Sequence, residues 1–179
     1  MYKPGPCTST TLGVTNFFYL TDSVKISSEI GKILTKKGKT LAIAESCTGG
    51  FISHCITRVP GSSAYFKGSV VAYDDSIKRF LLHVNEKTLK DFGAVSVETA
   101  KEMAAGALMN FNADYALSTT GIAGPTGETP GKPIGTVCIG IATKEKVVAE
   151  RFQFKGTRVE IIEQSAQKAL AILLKELHS

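Results

Sequence analysis

The chain has no tryptophan, three histidines and four cysteines among its 179 residues, and each scarcity excludes some chemistry. Cys7, Cys47, Cys55 and Cys138 form no C-x-x-C pair and no disulfide-framework spacing. With His54, His83 and His178 they compose no metal signature, so reduced thiols and no bound metal are expected. The histidines also sit badly for a Ser-His-Asp triad: one inside a helical stretch, one closing an apolar run, one next to the last residue. No apolar run approaches the ~20 residues of a membrane span. The start of the chain lacks a basic segment followed by an apolar core, so no signal peptide is expected and the cytoplasm is the expected location. The net charge of +5 is scattered rather than clustered, which gives no nucleic-acid-binding signature. A mild positive balance suits a small anionic ligand as well as anything larger.

What is present is ordinary for one globular domain: 43% hydrophobic and 21% charged residues. Residues 1–20 hold Pro, Gly, Ser and Thr without a clear period and read as a tail or arm; residues 21–179 read as the domain. Asp22 or Ser23 can cap a helix with Ile26, Ile30, Ile33 and Leu34 on one face, stopped at Gly38. A strand over Thr40–Ala44 follows, then a helix from Thr48 to about Arg58. Gly68–Tyr73 reads as a strand. Asp74 caps a short helix with Ile77, Leu81 and Leu82 inward, Asn85 starts another that ends at Gly93, and Ser96 caps a longer one to about Phe111. Asp114–Thr120 is a third strand. Residues 121–135 contain five Gly and three Pro and cannot be regular structure. Val137–Thr143 and Val147–Phe154 read as a hairpin. The spacing Thr157-x-x-Glu160 opens a last helix, with Val159, Ile162, Ala166, Leu170, Leu173 and Leu177 inward. Strands alternating with helices predict an α/β fold: a three-layer α/β/α sandwich around a mixed, mostly parallel five-stranded sheet.

In such sheets ligands bind beyond the carboxyl ends of the strands. Three predicted strands end in polar, small-residue segments: Glu45-Ser46-Cys47-Thr48-Gly49-Gly50, Tyr73-Asp74-Asp75 and Ser118-Thr119-Thr120-Gly121. As parallel neighbours they would converge on one cleft. Ser46 then sits at a strand tip, with Thr48, Gly49 and Gly50 opening a helix whose N–H groups suit an anion or an oxyanion. A serine there is a nucleophile, a phosphate ligand or an N-cap. Lys78 lies one helical turn after Asp74. A lysine can activate a serine once its affinity for the proton falls from ~10.4 to roughly 7–8, or it is simply a solvated helix residue. Tyr73 is a proton relay or a strand-end aromatic. Thr120 and Gly121 offer a hydroxyl and a backbone nest for phosphate, or only a tight turn. Arg158 opens the last helix, against the dipole, where it can clamp an anion. Arg151 is nearby. Cys47 is a rival nucleophile.

These blocks resemble the CinA C-terminal domain family. Ala44–Gly50, Val59-Pro60-Gly61-Ser62-Ser63-Ala64-Tyr65-Phe66, Gly93-Ala94-Val95-Ser96 and Thr120–Pro125 through Lys132–Val137 run in the family's order and spacing, over roughly Ser23–Leu177. The resemblance implies a nicotinamide-nucleotide amidase, which hydrolyses the carboxamide of nicotinamide mononucleotide to nicotinate mononucleotide and ammonia. It implies Ser46 as nucleophile with Lys78 and Tyr73, and substrate binding by Thr48, Gly49, Gly50, Thr120, Gly121 and Arg158, without a cofactor. The chain reads Tyr73-Asp74-Asp75-Ser76-Ile77-Lys78 where the family has Tyr-Ser-Asn-Glu-Ala-Lys; the tyrosine and lysine stay in place. The resemblance also implies a homodimer or other homo-oligomer, and a stand-alone form, since 179 residues leave no room for the N-terminal pyrophosphatase-type domain of longer family members. The reading from another class is a non-catalytic nucleotide-binding module that regulates a partner in competence or stress.

Overall fold

In the computed structural model, the backbone of residues 12–179 and the side chains of residues 22–179 are described. The elements run α1 (Leu12–Lys37), β1 (Leu41–Glu45), α2 (Phe51–Thr57), a short 3-10 turn (Ser62–Ala64), β2 (Phe66–Val71), α3 (Asp75–Leu82), α4 (Glu86–Phe92) and α5 (Val97–Asn110). They continue through β3 (Tyr115–Gly121), β4 (Thr136–Thr143), β5 (Val147–Gln153) and α6 (Arg158–Leu177). The sheet order is β2-β1-β3-β4-β5. β1 pairs in parallel with β2 and β3, β4 is antiparallel to β3, and β5 is antiparallel to β4. Four strands therefore run one way and β4 runs against them, so the fold is an open α/β sheet of mixed type.

The strands alternate large and small residues, and this divides the core in two. Leu41, Ile43, Leu117, Ile139 and Ile141 pack with α1, α2 and α6. Ala42, Ala44, Ala116 and Ala142 point to the other face, under α3 and α5. An alanine face lets a helix approach the sheet closely. At Gly140 an added Cβ would lie 2.5 Å from the Ala100 carbonyl oxygen of α5, and the Ser118 hydroxyl donates to that same carbonyl at 2.6 Å. α5 meets the end of α3 as tightly: a Cβ on Gly106 would lie 1.9 Å from the Leu82 carbonyl oxygen. Gly106→Ala is expected to cost about 3 kcal/mol, because backbone rather than a flexible side chain must move. At 2–4 °C per kcal/mol, the melting temperature falls by roughly 6–12 °C. An unchanged melting curve would show that α3 and α5 can separate freely.

Local capping chemistry sets most helix starts. Asp74, Asn85 and Ser96 accept from the N–H groups of Ser76, Lys87 and Thr99, and Thr157 with Glu160 completes a reciprocal capping box. Three expectations need correction. Asp22 and Ser23 cap nothing, because α1 already runs through both; of the expected tail, residues 1–11 lie outside the described residues. Leu81 is half exposed while its neighbour Leu82 is buried. Val159 is also half exposed, while Ile161, two residues on, is buried. No helix among the described residues is long and apolar enough to cross a membrane.

Candidate active site

β1 lies between β2 and β3, so the carboxyl ends of three parallel strands meet at one place. A cavity of about 210 Å³ opens there. Ser46 and Cys47 reach it from the tip of β1, and Tyr73, Asp75 and Lys78 from the end of β2 and the start of α3. Thr120, Gly121 and Ala123 come from the end of β3 and the loop beyond it, Ala94 and Val95 from the turn before α5, and Arg158 from the first residue of α6.

The backbone of Ser46 is held at the strand tip from both sides. Its N–H donates to the Thr119 carbonyl at 2.9 Å, and the preceding Glu45 carbonyl accepts from Ala72 at 2.8 Å. The Ser46 hydroxyl has no hydrogen-bond partner among the described residues. Lys78 is 2% exposed. Its stem is buried with the core and its amine faces the cavity, where Nζ donates to the Tyr73 carbonyl and to Asp75 Oδ1, each at 3.1 Å. The fully capped start of α3 places this lysine: Asp74 receives Ser76 N–H at 2.8 Å, and the bonds from Ser76 hold its carboxyl below the usual carboxylate range. Arg158 donates to the Tyr73 hydroxyl at 2.9 Å and to the Gly124 carbonyl at 2.7 Å. The Tyr73 hydroxyl thus accepts from a cation and keeps its own proton to donate.

The helix N-terminus at Thr48–Gly50 is not an open anion site. The buried Glu45 carboxylate fills it, accepting Gly50 N–H at 3.0 Å, Ile52 N–H at 3.1 Å, Ser53 N–H at 2.9 Å and the Ser53 hydroxyl at 2.6 Å. Gly49 N–H is spent on the Ser46 carbonyl at 3.1 Å, and the Thr48 hydroxyl bonds to that of Thr119 at 2.7 Å. Thr48, Gly49 and Gly50 therefore stand outside the cavity wall, and Glu45 is the buried neighbour of the site that sequence reasoning overlooked. Two N–H groups after the serine, those of Cys47 and Thr48, have no oxygen acceptor among the described residues.

The expected phosphate nest at Thr120–Gly121 is also absent. Gly121 stays in β3, paired with Val137, and a Cβ there would meet Val137 Cγ2 at 2.6 Å. The Thr120 hydroxyl donates its single proton to the Ala94 carbonyl at 2.7 Å, so toward the cavity it can only accept. Of the two arginines, Arg158 borders the cavity. Arg151 lines a separate hollow with Glu98, Lys132 and Cys138, and donates to the Gly131 carbonyl. Asp75 is the charged wall residue to which the sequence reading gave no role, although its i,i+3 spacing from Lys78 was the available signal.

A family profile described as CinA C-terminal domain matches residues 23–177. The chain belongs to the CinA C-terminal domain family. A CinA-like protein of Endomicrobium trichonymphae is 50% identical over 156 residues, which are 87% of this chain and 36% of that protein. A putative competence-damage inducible protein of Caldicellulosiruptor saccharolyticus is 47% identical over 161 residues, 90% of this chain and 39% of its own length. This CinA domain thus spans little more than a third of those curated relatives. Among solved structures, the competence/damage inducible protein CihA of Agrobacterium tumefaciens superposes with a TM-score of 0.85 at 36% identity, covering 88% of this chain and 96% of that one. A CinA superfamily protein of Escherichia coli superposes at 0.84 and 28% identity, covering 93% and 94%.

Cys47, the rival nucleophile, is 7% exposed and packs into the core beside the CinA cavity. Burial pushes its thiol up to about 12, so almost no thiolate exists at neutral pH. Cys47→Ala is expected to keep turnover within about threefold of wild type, and iodoacetamide at pH 8 to leave the activity intact. Inactivation by the reagent, with labelling at Cys47, would reverse this assignment.

Proposed function

We propose that this domain hydrolyses the carboxamide of nicotinamide mononucleotide to nicotinate mononucleotide and ammonia. One observation carries the reading: a serine hydroxyl without a partner, a buried lysine amine, a tyrosine hydroxyl and the arginine bound to it, drawn from three separate segments, border a single cavity.

Ser46 Oγ attacks the carboxamide carbon and its proton passes to Lys78 Nζ, which must be neutral to receive it. The oxyanion is held by the N–H group of Cys47, which borders the cavity and has no oxygen acceptor among the described residues; one such donor is worth about 2.7–4 kcal/mol. As the C–N bond breaks, the nitrogen takes a proton from Lys78 through the Tyr73 hydroxyl and leaves as ammonia. Water then attacks the Ser46 ester and gives a proton to Lys78, which passes it to Ser46 Oγ as the ester C–O bond breaks and nicotinate mononucleotide leaves. The Thr120 oxygen accepts from the substrate's amide or ribose hydroxyl. The remaining guanidinium donors of Arg158 take the phosphate, and that remote contact orients the amide. The steps use protein groups and water alone.

A non-catalytic nucleotide-binding module is the second reading. It is favoured by one observation, that Lys78 Nζ bonds to Tyr73 and Asp75 rather than to Ser46. Catalytic hydrogen bonds often tighten only when substrate is bound. Incubating the protein with nicotinamide mononucleotide and measuring ammonia separates the two. The amidase reading expects ammonia and nicotinate mononucleotide in equal amounts. A thermal shift with the nucleotide but no ammonia would establish the binding module instead.

A further inference from the structure

A neutral amine has two N–H bonds and one lone pair, in tetrahedral array. For Lys78 to take a proton from Ser46, the lone pair must face the serine and both N–H bonds must point elsewhere. The structure supplies two acceptors for them. The Tyr73 carbonyl and Asp75 Oδ1 each stand 3.1 Å from Nζ, and neither group can donate in return when the carboxylate is ionised. With both N–H directions occupied, the lone pair is left for the cavity that Ser46 borders.

We propose that Asp75 is a positioning residue that aims the Lys78 lone pair at Ser46. The inference rests on the Ser–Lys reading of the site. Asp75 is otherwise hard to account for at that place. Its side chain is 57% exposed, and an ion pair at such a surface contributes little to stability. The neighbouring carboxylate cannot replace it, because Asp74 is turned to the N–H and hydroxyl of Ser76. Nor does Arg158 compete for it, since its guanidinium is bound to Tyr73 and Gly124. The acceptor oxygen, and not the negative charge, is the feature the geometry requires. Asparagine can supply that oxygen and alanine cannot.

The test uses two readouts on wild type, Asp75→Ala and Asp75→Asn. One is ammonia release from nicotinamide mononucleotide. The other is sulfonylation of Ser46 by phenylmethylsulfonyl fluoride, in which the serine oxygen bonds to sulfur, fluoride leaves and the serine proton goes to Lys78; peptide mass spectrometry reads it without reference to the substrate. Asp75→Ala is expected to lower kcat and the labelling rate by roughly 10–100-fold with KM within about twofold, while Asp75→Asn stays within about threefold of wild type in both. Wild-type rates in Asp75→Ala would overturn the inference, and so would equal losses in the two variants. Labelling that depends on Asp75 in a protein that releases no ammonia would sustain the positioning and refute the substrate. If Ser46 of the wild type neither labels nor turns over, both fall.

Discussion

Lys78→Ala is expected to lower kcat for ammonia release by roughly 10²–10⁴-fold, the usual worth of a positioned general base. KM should change little, because the proposed phosphate contact lies with Arg158 rather than with Lys78. Neither Cys47 nor Thr120 can take over. Cys47 is a thiol pushed up to about 12 by burial, and the Thr120 hydroxyl donates its hydrogen bond to the Ala94 carbonyl. The double variant Ser46→Ala/Lys78→Ala should be no slower than the poorer single variant within about threefold, since a nucleophile and its base fail as a unit. Steady-state kinetics on the four proteins checks this. Multiplying losses would mean that Lys78 acts independently of Ser46, for instance by binding substrate. Removing the stem of a buried lysine also opens a void, so melting curves of the variants should accompany the rates.

Glu45→Ala carries the largest expected loss of stability. The carboxylate accepts four hydrogen bonds, and without it the N–H groups at the start of α2 are left buried and unpaired. A cost of about 3–5 kcal/mol follows, a fall in melting temperature of roughly 6–20 °C. Activity should fall as well, because the same carboxylate folds the turn that carries Cys47 and Thr48. Glu45→Gln should recover only part of the loss. Its one oxygen can serve either Ser53 or the pair Gly50 and Ile52, and its amide then faces donors with a donor. A Gln variant as stable as wild type would show that charge and two-sided acceptance are not needed there.

Those two residues mark what was legible in the sequence and what was not. The helix caps at Asp74, Asn85, Ser96 and Thr157 were readable because each bond closes within three residues. The convergence of Ser46, Tyr73 and Thr120 was readable because successive strands joined through helices run parallel and end on one side. Glu45 was not, since its partners lie five to eight residues on, across a turn whose path depends on tertiary packing. The same turn gave Gly49 and Gly50 the look of an anion site, although their N–H groups are spent internally. Thr120 suited phosphate by residue type, yet its hydrogen bond to Ala94, 26 residues away, reverses its polarity. The bond between Arg158 and Tyr73 spans 85 residues, and only the place of Arg158 at the start of the last helix set it apart from Arg151 in the sequence. The alternation of leucine and isoleucine with alanine along β1 was in plain view. Its meaning, two faces of unequal depth with α5 seated close on the shallow one, became clear only when the faces were assigned.

The most direct measurement is ammonia release from nicotinamide mononucleotide by the wild-type protein and by Ser46→Ala, with nucleotide binding to both followed by thermal shift. The account predicts release by the wild type, a loss on the order of 10³-fold or more in the variant, and a retained shift in both. Ser46→Ala that releases ammonia at the wild-type rate would contradict it, since the attacking oxygen would then have to come from elsewhere.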